Sequence, residues 1–440
     1  MKRMLKMAAM GLAVCLCFIP MSGCGAPSAD GGSQVILADE DNSAQEKVIR
    51  FFAPVESASV DAIYYRSLID RYNAQHTGVS AVFEGISTAE GFNQYLEQRL
   101  DAGQGDDIFI VNADMVKPLY HKGYFYDLSA LSAFQELNDA TKEQAVIGEF
   151  AYCLPVSMTA YCMFVNLDVL EQYGLQPPQN LEEFRACCGT IKEAGGVPIS
   201  LNRWYALTIP AMANGLHQLY DADNIEEIRV GLNRGDIAIG DYMLEGFQVM
   251  EEFIREGWYG DNLDSVAVDG IRATIQDVPD FASGKTAFYF GHLNAMDMIE
   301  DANPHANYVI QGVPVPGGTV ILPAVQTRLC VNADSAYLEE ALEFLDYAAS
   351  NQYEKVTGGD TGFLPIYKDR EHTLSSERIR PVYELYQAGR QIPIEDMRLH
   401  FNYWDTIREI CLTMFDGTTA EEAAEDYTKQ QLEQIPLYHD

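Results

Sequence analysis

Between Val48 and Val111 the chain switches repeatedly between the two hydrophobic periods open to a folded backbone, and this alternation constrains the fold more than any other feature. Val48-Ile49-Arg50-Phe51-Phe52 is a short apolar run of the buried-strand type. Val60, Ile63, Tyr64, Leu68 and Tyr72 then fall on one helical face, and Gly78 ends that segment. Val79 to Phe83 predicts a second strand, Phe92 to Leu100 a second amphipathic helix, and Asp107 to Val111 a third strand. Strands that alternate with helices predict a parallel sheet with helices on its faces. Ligands of such sheets sit beyond the carboxyl ends of the strands. Glu56, just past the first strand, and Asn112 and Asp114, just past the third, are therefore candidates to meet a solute. Helix capping is the competing role, above all for Asp114.

The stretch from Tyr152 to Ser200 has the clearest boundaries. Leu154-Pro155 and Tyr161 to Asn166 read as separate strands, followed by a helix from Leu167 to Tyr173 that ends at Gly174. Pro177-Pro178 precedes a second helix, Leu181 to Ala194, which Asn180 can cap with Glu183 reaching back and which Gly195-Gly196 and Pro198 terminate. Farther on, Asp280 to Phe288 passes from a helix end into a strand. Ser335 heads a helix with Leu338, Ala341, Leu342 and Leu345 inside, and Thr419 with Glu422 forms a capping box for the last helix.

The chain opens with Lys2, Arg3 and Lys6, an apolar stretch from Met7 to Ile19, and Met21-Ser22-Gly23-Cys24, the order of an export signal. The apolar run is well short of the roughly 20 residues a spanning helix needs. Met21 to Cys24 resembles a bacterial lipobox, with Met where Leu is usual. That resemblance implies a signal peptide over residues 1–23, lipidation at Cys24 and attachment of the mature chain to the outer face of the cell membrane. Residues 24–46 are poor in apolar side chains and read as a flexible tether.

The remaining 400 or so residues exceed what one small core organises, which predicts two lobes. A formal charge of −36 argues against nucleic acid as a partner, because a phosphate backbone demands a basic surface. Of the nine cysteines, Cys153, Cys162, Cys187, Cys188, Cys330 and Cys411 lie in the body without framework spacing. Cys153 with Cys162 is the one pair worth testing for a disulfide.

Taken in order, several segments resemble the extracellular solute-binding proteins of carbohydrate ABC importers, the relatives of maltose-binding protein. They are Leu154-Pro155, Phe164 to Leu170, Gly174-Leu175, Pro177-Pro178, Leu181 to Phe184, Gly196 to Ile199, Phe281 to Ala287 ending in Gly291, Glu340-Ala341 with Phe344-Leu345, and Gly362 to Pro365. The resemblance spans Val48 to Gln430. It implies an α/β, two-lobed periplasmic-binding-protein-like fold with a ligand cleft between the lobes. Lobe 1 would take residues 47–155 plus about 286–323, and lobe 2 residues 156–285 plus about 324–440. It further implies a monomer that captures a solute, a carbohydrate by family analogy, without catalysis or cofactor, and docks on separate permease subunits in the membrane.

Trp204 and Tyr205 stand where the family places an aromatic that stacks on a sugar ring, with a core Trp as the alternative. After Gly291, where many members have an aromatic, this chain has His292-Leu293-Asn294, so either His292 supplies a hydrogen bond in place of a stacking face or the ligand is small, free of acidic groups or not a sugar. Thr159 and Phe363 complete the candidate ligand contacts. Trp258 reads as structural, and Trp404 has no role assignable from sequence.

Gly284-Lys285-Thr286 superficially suggests a phosphate loop, but Pro279 stands where the motif needs Gly. The histidines have no metal-ligand spacing and there is no Gly-x-Ser-x-Gly elbow. Asp106-Asp107 and Glu251-Glu252 could serve a lipid-anchored glycosidase, although adjacent helical residues do not face one another. That enzyme is one competing reading, and a sensory module on the same lobes is another.

Overall fold

The computed structural model describes residues 35–36, 47–54, 60–86, 89–202, 205–260, 277–357, 363–368, 374 and 376–438. Nine strands of these form one sheet: β1 (Val35–Ile36), β2 (Lys47–Pro54), β3 (Val79–Ile86), β4 (Ile108–Ile110), β5 (Leu154–Asn166), β6 (Val197–Ile199), β7 (Thr286–His292), β8 (Tyr308–Gln311) and β9 (Leu322–Val331). Their order is β1-β3-β2-β4-β9-β5-β7-β6, with β8 also pairing β5. The helices that matter for the site are α1 (Val60–Gln75), α2 (Ala89–Asp101), α3 (Ala113–His121), α4 (Leu181–Glu193), α5 (Tyr205–Tyr220), α6 (Ile239–Arg255), α7 (Leu338–Thr357), α8 (Trp404–Met414) and α9 (Ala420–Gln434).

The sheet is mixed. β2 runs parallel to β3 and β4, and β6 runs parallel to β7, as the strand–helix alternation predicts. The centre differs: β5 is antiparallel to β7, β8 and β9, and β9 is antiparallel to β4. Long return strands replace helical crossovers there. Leu154-Pro155 and Tyr161 to Asn166 also prove to be one 13-residue strand. Pro155, which has no N–H to give the ladder, sits near its start and beside a register irregularity against β9, where a proline is tolerated.

Two hydrophobic cores flank this central pair. Phe51, Phe52, Leu68, Tyr72, Phe92, Phe109, Val116, Phe344 and Leu345 belong to the first. Phe184, Leu207, Met212, Met243, Phe247, Ile407, Ile410 and Tyr427 belong to the second. β5 feeds both. Its even-numbered residues from Leu154 to Phe164 pack in the first core, while Met163 and Val165 pack in the second and Tyr161 lies against it. A strand's period of two thus turns one segment into the partition between lobes. Trp258 packs edge-on against Phe184 in the second core, a structural role.

Local chemistry explains the ends. The Asn180 side chain accepts from Glu183 N at 2.9 Å, and the Glu183 carboxylate accepts from Gln179 N at 2.8 Å. The Thr419–Glu422 capping box is complete. The Ser335 hydroxyl accepts from Tyr337 N at 3.1 Å just ahead of α7. Cys153 and Cys162 are both buried and free. Nine residues of extended chain separate them by roughly 30 Å, several times the Cα span of a disulfide.

Candidate functional site

Three chain ends converge beside the odd-numbered face of β5. β7 ends at His292, α5 begins at Tyr205, and α8 begins at Trp404. Around Tyr161 their rings form a continuous aromatic wall. Ring centroids lie 4.9 Å apart for Tyr161 and Trp404, 5.4 Å for Tyr161 and Tyr205, 5.5 Å for Tyr205 and His292, and 6.1 Å for Tyr161 and His292. All four residues are half-buried, so each keeps an accessible face or edge.

Buried polar groups hold the wall in place. Asn202 Oδ1 accepts from the backbone N–H groups of Tyr205 and Ala206, capping α5, while its Nδ2 donates to the buried Asp277 carboxylate at 2.7 Å. At the other helix, the buried Glu395 carboxylate accepts from Tyr403 N at 3.0 Å and Trp404 N at 2.8 Å. An acid at a helix N-terminus meets both the unpaired N–H groups and the positive end of the dipole. Burial nevertheless pushes both carboxyls up to about 7.

His292 has the most telling chemistry of the four. Burial lowers its pKa to about 4, so the imidazole is neutral at physiological pH, and its Nδ1 is enclosed with no hydrogen-bond partner. It therefore holds an unspent donor or acceptor inside the aromatic wall. Tyr205 is raised to about 12 by burial and remains a phenol.

On the first-lobe side, Asn112 Nδ2 donates to Asn93 Oδ1 at 2.9 Å and Asn93 Nδ2 donates to Asp114 at 2.8 Å. Asn112 is the N-cap of α3 without a side-chain cap bond, and Asp114 lies in the first turn. Burial raises the Asp114 carboxyl, with the nearby Asp405 charge adding to the shift. Asp405 lies in the first turn of α8, directly after Trp404.

Of the residues singled out from sequence, the structure brings Tyr205 and His292 together, and separately joins Asn112 to Asp114 through Asn93. Thr159 lies on the floor, 2 % exposed, its hydroxyl donating to Asn294 at 3.3 Å. Phe363 is half-buried beside β5, where Leu364 N bonds Met158 O at 2.7 Å. Glu56, Trp204 and Cys24 lie outside the described residues. Sequence reasoning missed Tyr161, Trp404, Asn93 and the two positioning acids. Tyr161 had a signal, as the odd-face aromatic of an otherwise small or aliphatic strand; Trp404 had none beyond being a tryptophan.

Glu395 and Asp396 also line a polar cavity of about 230 Å³ with Glu143, Tyr220, Arg229 and Arg398. It sits at the Tyr220 end of α5, about 22 Å from Tyr205 by helical rise. Its charges are mutually satisfied: Asp396 accepts from Arg229 at 2.9 Å, Arg398 at 2.8 Å and Tyr220 at 3.0 Å. The acid pairs considered for hydrolysis are likewise engaged in structural contacts. Arg185 takes Glu252 in a forked ion pair, and Arg99 takes Asp106 at 3.0 Å. Lys285 pairs with Asp280 at 2.6 Å and Thr286 bonds Ser200 at 2.7 Å, as in an ordinary entry into β7.

Comparison with known proteins agrees with this architecture. A Brucella abortus (strain 2308) protein named as a binding protein is 22% identical over 318 residues, covering 70% of this chain and 73% of its own. The MsmE binding protein of Bacillus subtilis subsp. subtilis str. 168, in an open conformation, superposes with a TM-score of 0.68 at 17% identity, covering 91% of this chain and 100% of that one. The GacH receptor of Streptomyces glaucescens GLA.O does so with a TM-score of 0.69 at 16% identity, covering 89% and 99%. The fold is therefore the two-lobed one of maltose-binding-protein-like receptors. Residues 58–355 match the model of the bacterial extracellular solute-binding proteins, and the chain belongs to that family.

Proposed function

We propose that this chain is a lipid-anchored receptor that captures a saccharide between its lobes and delivers it, unchanged, to an ABC-type permease. The observation that carries the reading is the wall of Tyr161, Tyr205, His292 and Trp404, with the Asn112–Asn93–Asp114 chain as the first-lobe polar group offered to the solute. Aromatic faces offer dispersion contacts to the CH face of a pyranose, and amides and carboxylates pair with its hydroxyls. The GacH receptor was solved unliganded and with acarbose, which is in keeping with a saccharide ligand. Anchoring through Cys24 rests on the lipobox-like Met21 to Cys24 and the tether that follows it. No described helix is long and apolar enough to cross a membrane. Closure over the solute would be a hinge motion, driven only to the extent that the solute binds the closed form better.

The test is a thermal-shift screen of the chain from Gly25 onward against mono- and oligosaccharides, with amino acids and polyamines as controls. A ligand at about 100 times its dissociation constant stabilises the native state by about 2.7 kcal/mol. A saccharide that shifts the transition and is recovered intact supports the receptor. Shifts from the controls alone would remove the carbohydrate assignment, and steady turnover of a bound glycan would make the protein an enzyme.

A further inference from the structure

Arg328 is a buried cation without a counter-charge. The residue is 5 % exposed, and its Nε is enclosed with no hydrogen-bond partner. Among the described residues no carboxylate pairs with it. The groups that bear on its charge are Tyr152, Cys153 and Cys330, all neutral at physiological pH. The Tyr152 hydroxyl gives its own proton to Gln144 O at 2.7 Å, so it can offer the guanidinium one uncharged acceptor at most.

Two other arginines among the described residues, buried Arg229 and half-buried Arg99, are treated differently. Arg229 holds Asp396 at 2.9 Å, and Arg99 holds both Glu84 and Asp106. A guanidinium cannot shed its proton in a protein, so its charge stays buried with the Tyr152 hydroxyl beside it and, among the described residues, no anion to balance it.

Its position says where an anion would come from. Arg328 lies opposite Pro155 across the β9–β5 ladder, and Thr327 lies opposite Ser157. Opposed residues of an antiparallel pair share a face. Leu329 and Val325 lie opposite the even-numbered residues Leu154 and Met158 and pack in the first core. Arg328 therefore lies on the odd-numbered face, the one that carries Thr159 and Tyr161 in the cleft. The Tyr161 hydroxyl senses its charge. The two residues before it, Gln326 and Thr327, are exposed and half-buried, and Gln326 accepts from Asn294, which in turn accepts from Thr159.

We propose that Arg328 is the recognition point for a carboxylate on the captured solute, so that the ligand is an acidic saccharide, one carrying a uronate. This inference rests on the saccharide-receptor reading above and narrows it. A carboxylate supplies the planar, two-oxygen partner that a guanidinium fork binds in parallel.

The test pairs wild type with Arg328→Met, which keeps the stem's volume and removes the charge. Calorimetric titrations compare galacturonate, glucuronate and their di- and trisaccharides with the matching neutral sugars. Wild type is expected to bind an acidic member at least tenfold tighter than its neutral counterpart, and the variant to lose that preference. The unliganded variant is expected to melt no lower than wild type, because it sheds an unpaired charge. Sodium acetate at constant ionic strength should raise the transition of wild type more than that of the variant.

Equal affinity for acidic and neutral sugars in wild type overturns the proposal while leaving the receptor standing. So does a variant that melts several degrees lower, which would reveal a partner within the protein. Absence of binding by every saccharide, with the acetate difference retained, removes the sugar and keeps the anion site.

Discussion

Asn202 and Asp277 together fix where Tyr205 stands. The Asn202 amide spends its oxygen on the first N–H groups of α5 and its nitrogen on Asp277, so one side chain both caps the helix and orients it. Trp404 is held in the same way by Glu395. Replacing Trp404 by alanine should weaken saccharide binding by about 10- to 100-fold, the 1.5–3 kcal/mol of a buried aromatic contact. Because the ring is half-buried, apo stability should fall much less. Calorimetry beside urea denaturation separates the two effects, and an unchanged affinity would take Trp404 out of the site. Asn202→Ala is expected to act the other way round, with stability down by about 1 kcal/mol from the lost cap and affinity reduced only through Tyr205. At this scale Asn112 and Asp114 were singled out because they follow a strand of a parallel sheet, and Tyr205 and His292 through the resemblance to the family; ring contacts set the latter two beside Tyr161. The sequence concealed Trp404, whose meeting with Tyr161 across more than 240 positions of chain depends on tertiary folding alone, and Glu395, which accepts from the Trp404 N–H.

α6 illustrates what element packing requires of single residues. It crosses α5 so closely that a Cβ on Gly246 would stand 2.1 Å from Ala211 O, and one on Gly215 would stand 2.5 Å from Met243 Sδ. The backbone atoms cannot yield as a flexible side chain does. Gly246→Ala should therefore destabilise by about 1–3 kcal/mol or more through overpacking, although alanine is the better helix former. A denaturation midpoint equal to or above that of wild type would show that the helices have room to part. Elements of this kind were legible where caps and periodicity agreed, as at Asn180 and Thr419. The long strand β5 was not, because Pro155 and the polar Ser157 and Thr159 interrupt its apolar pattern. Those residues share the odd-numbered face with Tyr161, so on the proposed reading the apparent break reflects the site itself.

For the whole molecule, proton linkage gives a prediction that depends on both cores. Asp106, Asp277 and Glu395 are each pushed up to about 7 by burial, well above ordinary carboxyl values. A carboxyl whose folded pKa is raised keeps its proton in the native state while the unfolded chain has already released it. Between about pH 4 and pH 7 the native state thus binds more protons, and stability falls as pH rises, by up to about 1.4 kcal/mol per pH unit for each group before levelling above pH 7. Lys117, buried between α3 and Phe401, works in a different window. Burial lowers it to about 8, so the native state binds fewer protons than the unfolded chain from there to about 10.5, and its contribution rises with pH over that range. The formal charge of −36 adds repulsion that also grows as acids ionise. Comparing Asp277→Asn with wild type isolates one group from this background, since the amide can still face Asn202 but has no proton to lose. Urea denaturation at pH 5, 6, 7 and 8 should show wild type losing stability steadily while the variant loses distinctly less. Parallel curves for the two proteins would mean that Asp277 is ionised throughout, and that the α5 cap rests on a charge-assisted hydrogen bond from Asn202 to the carboxylate and not on a neutral acid.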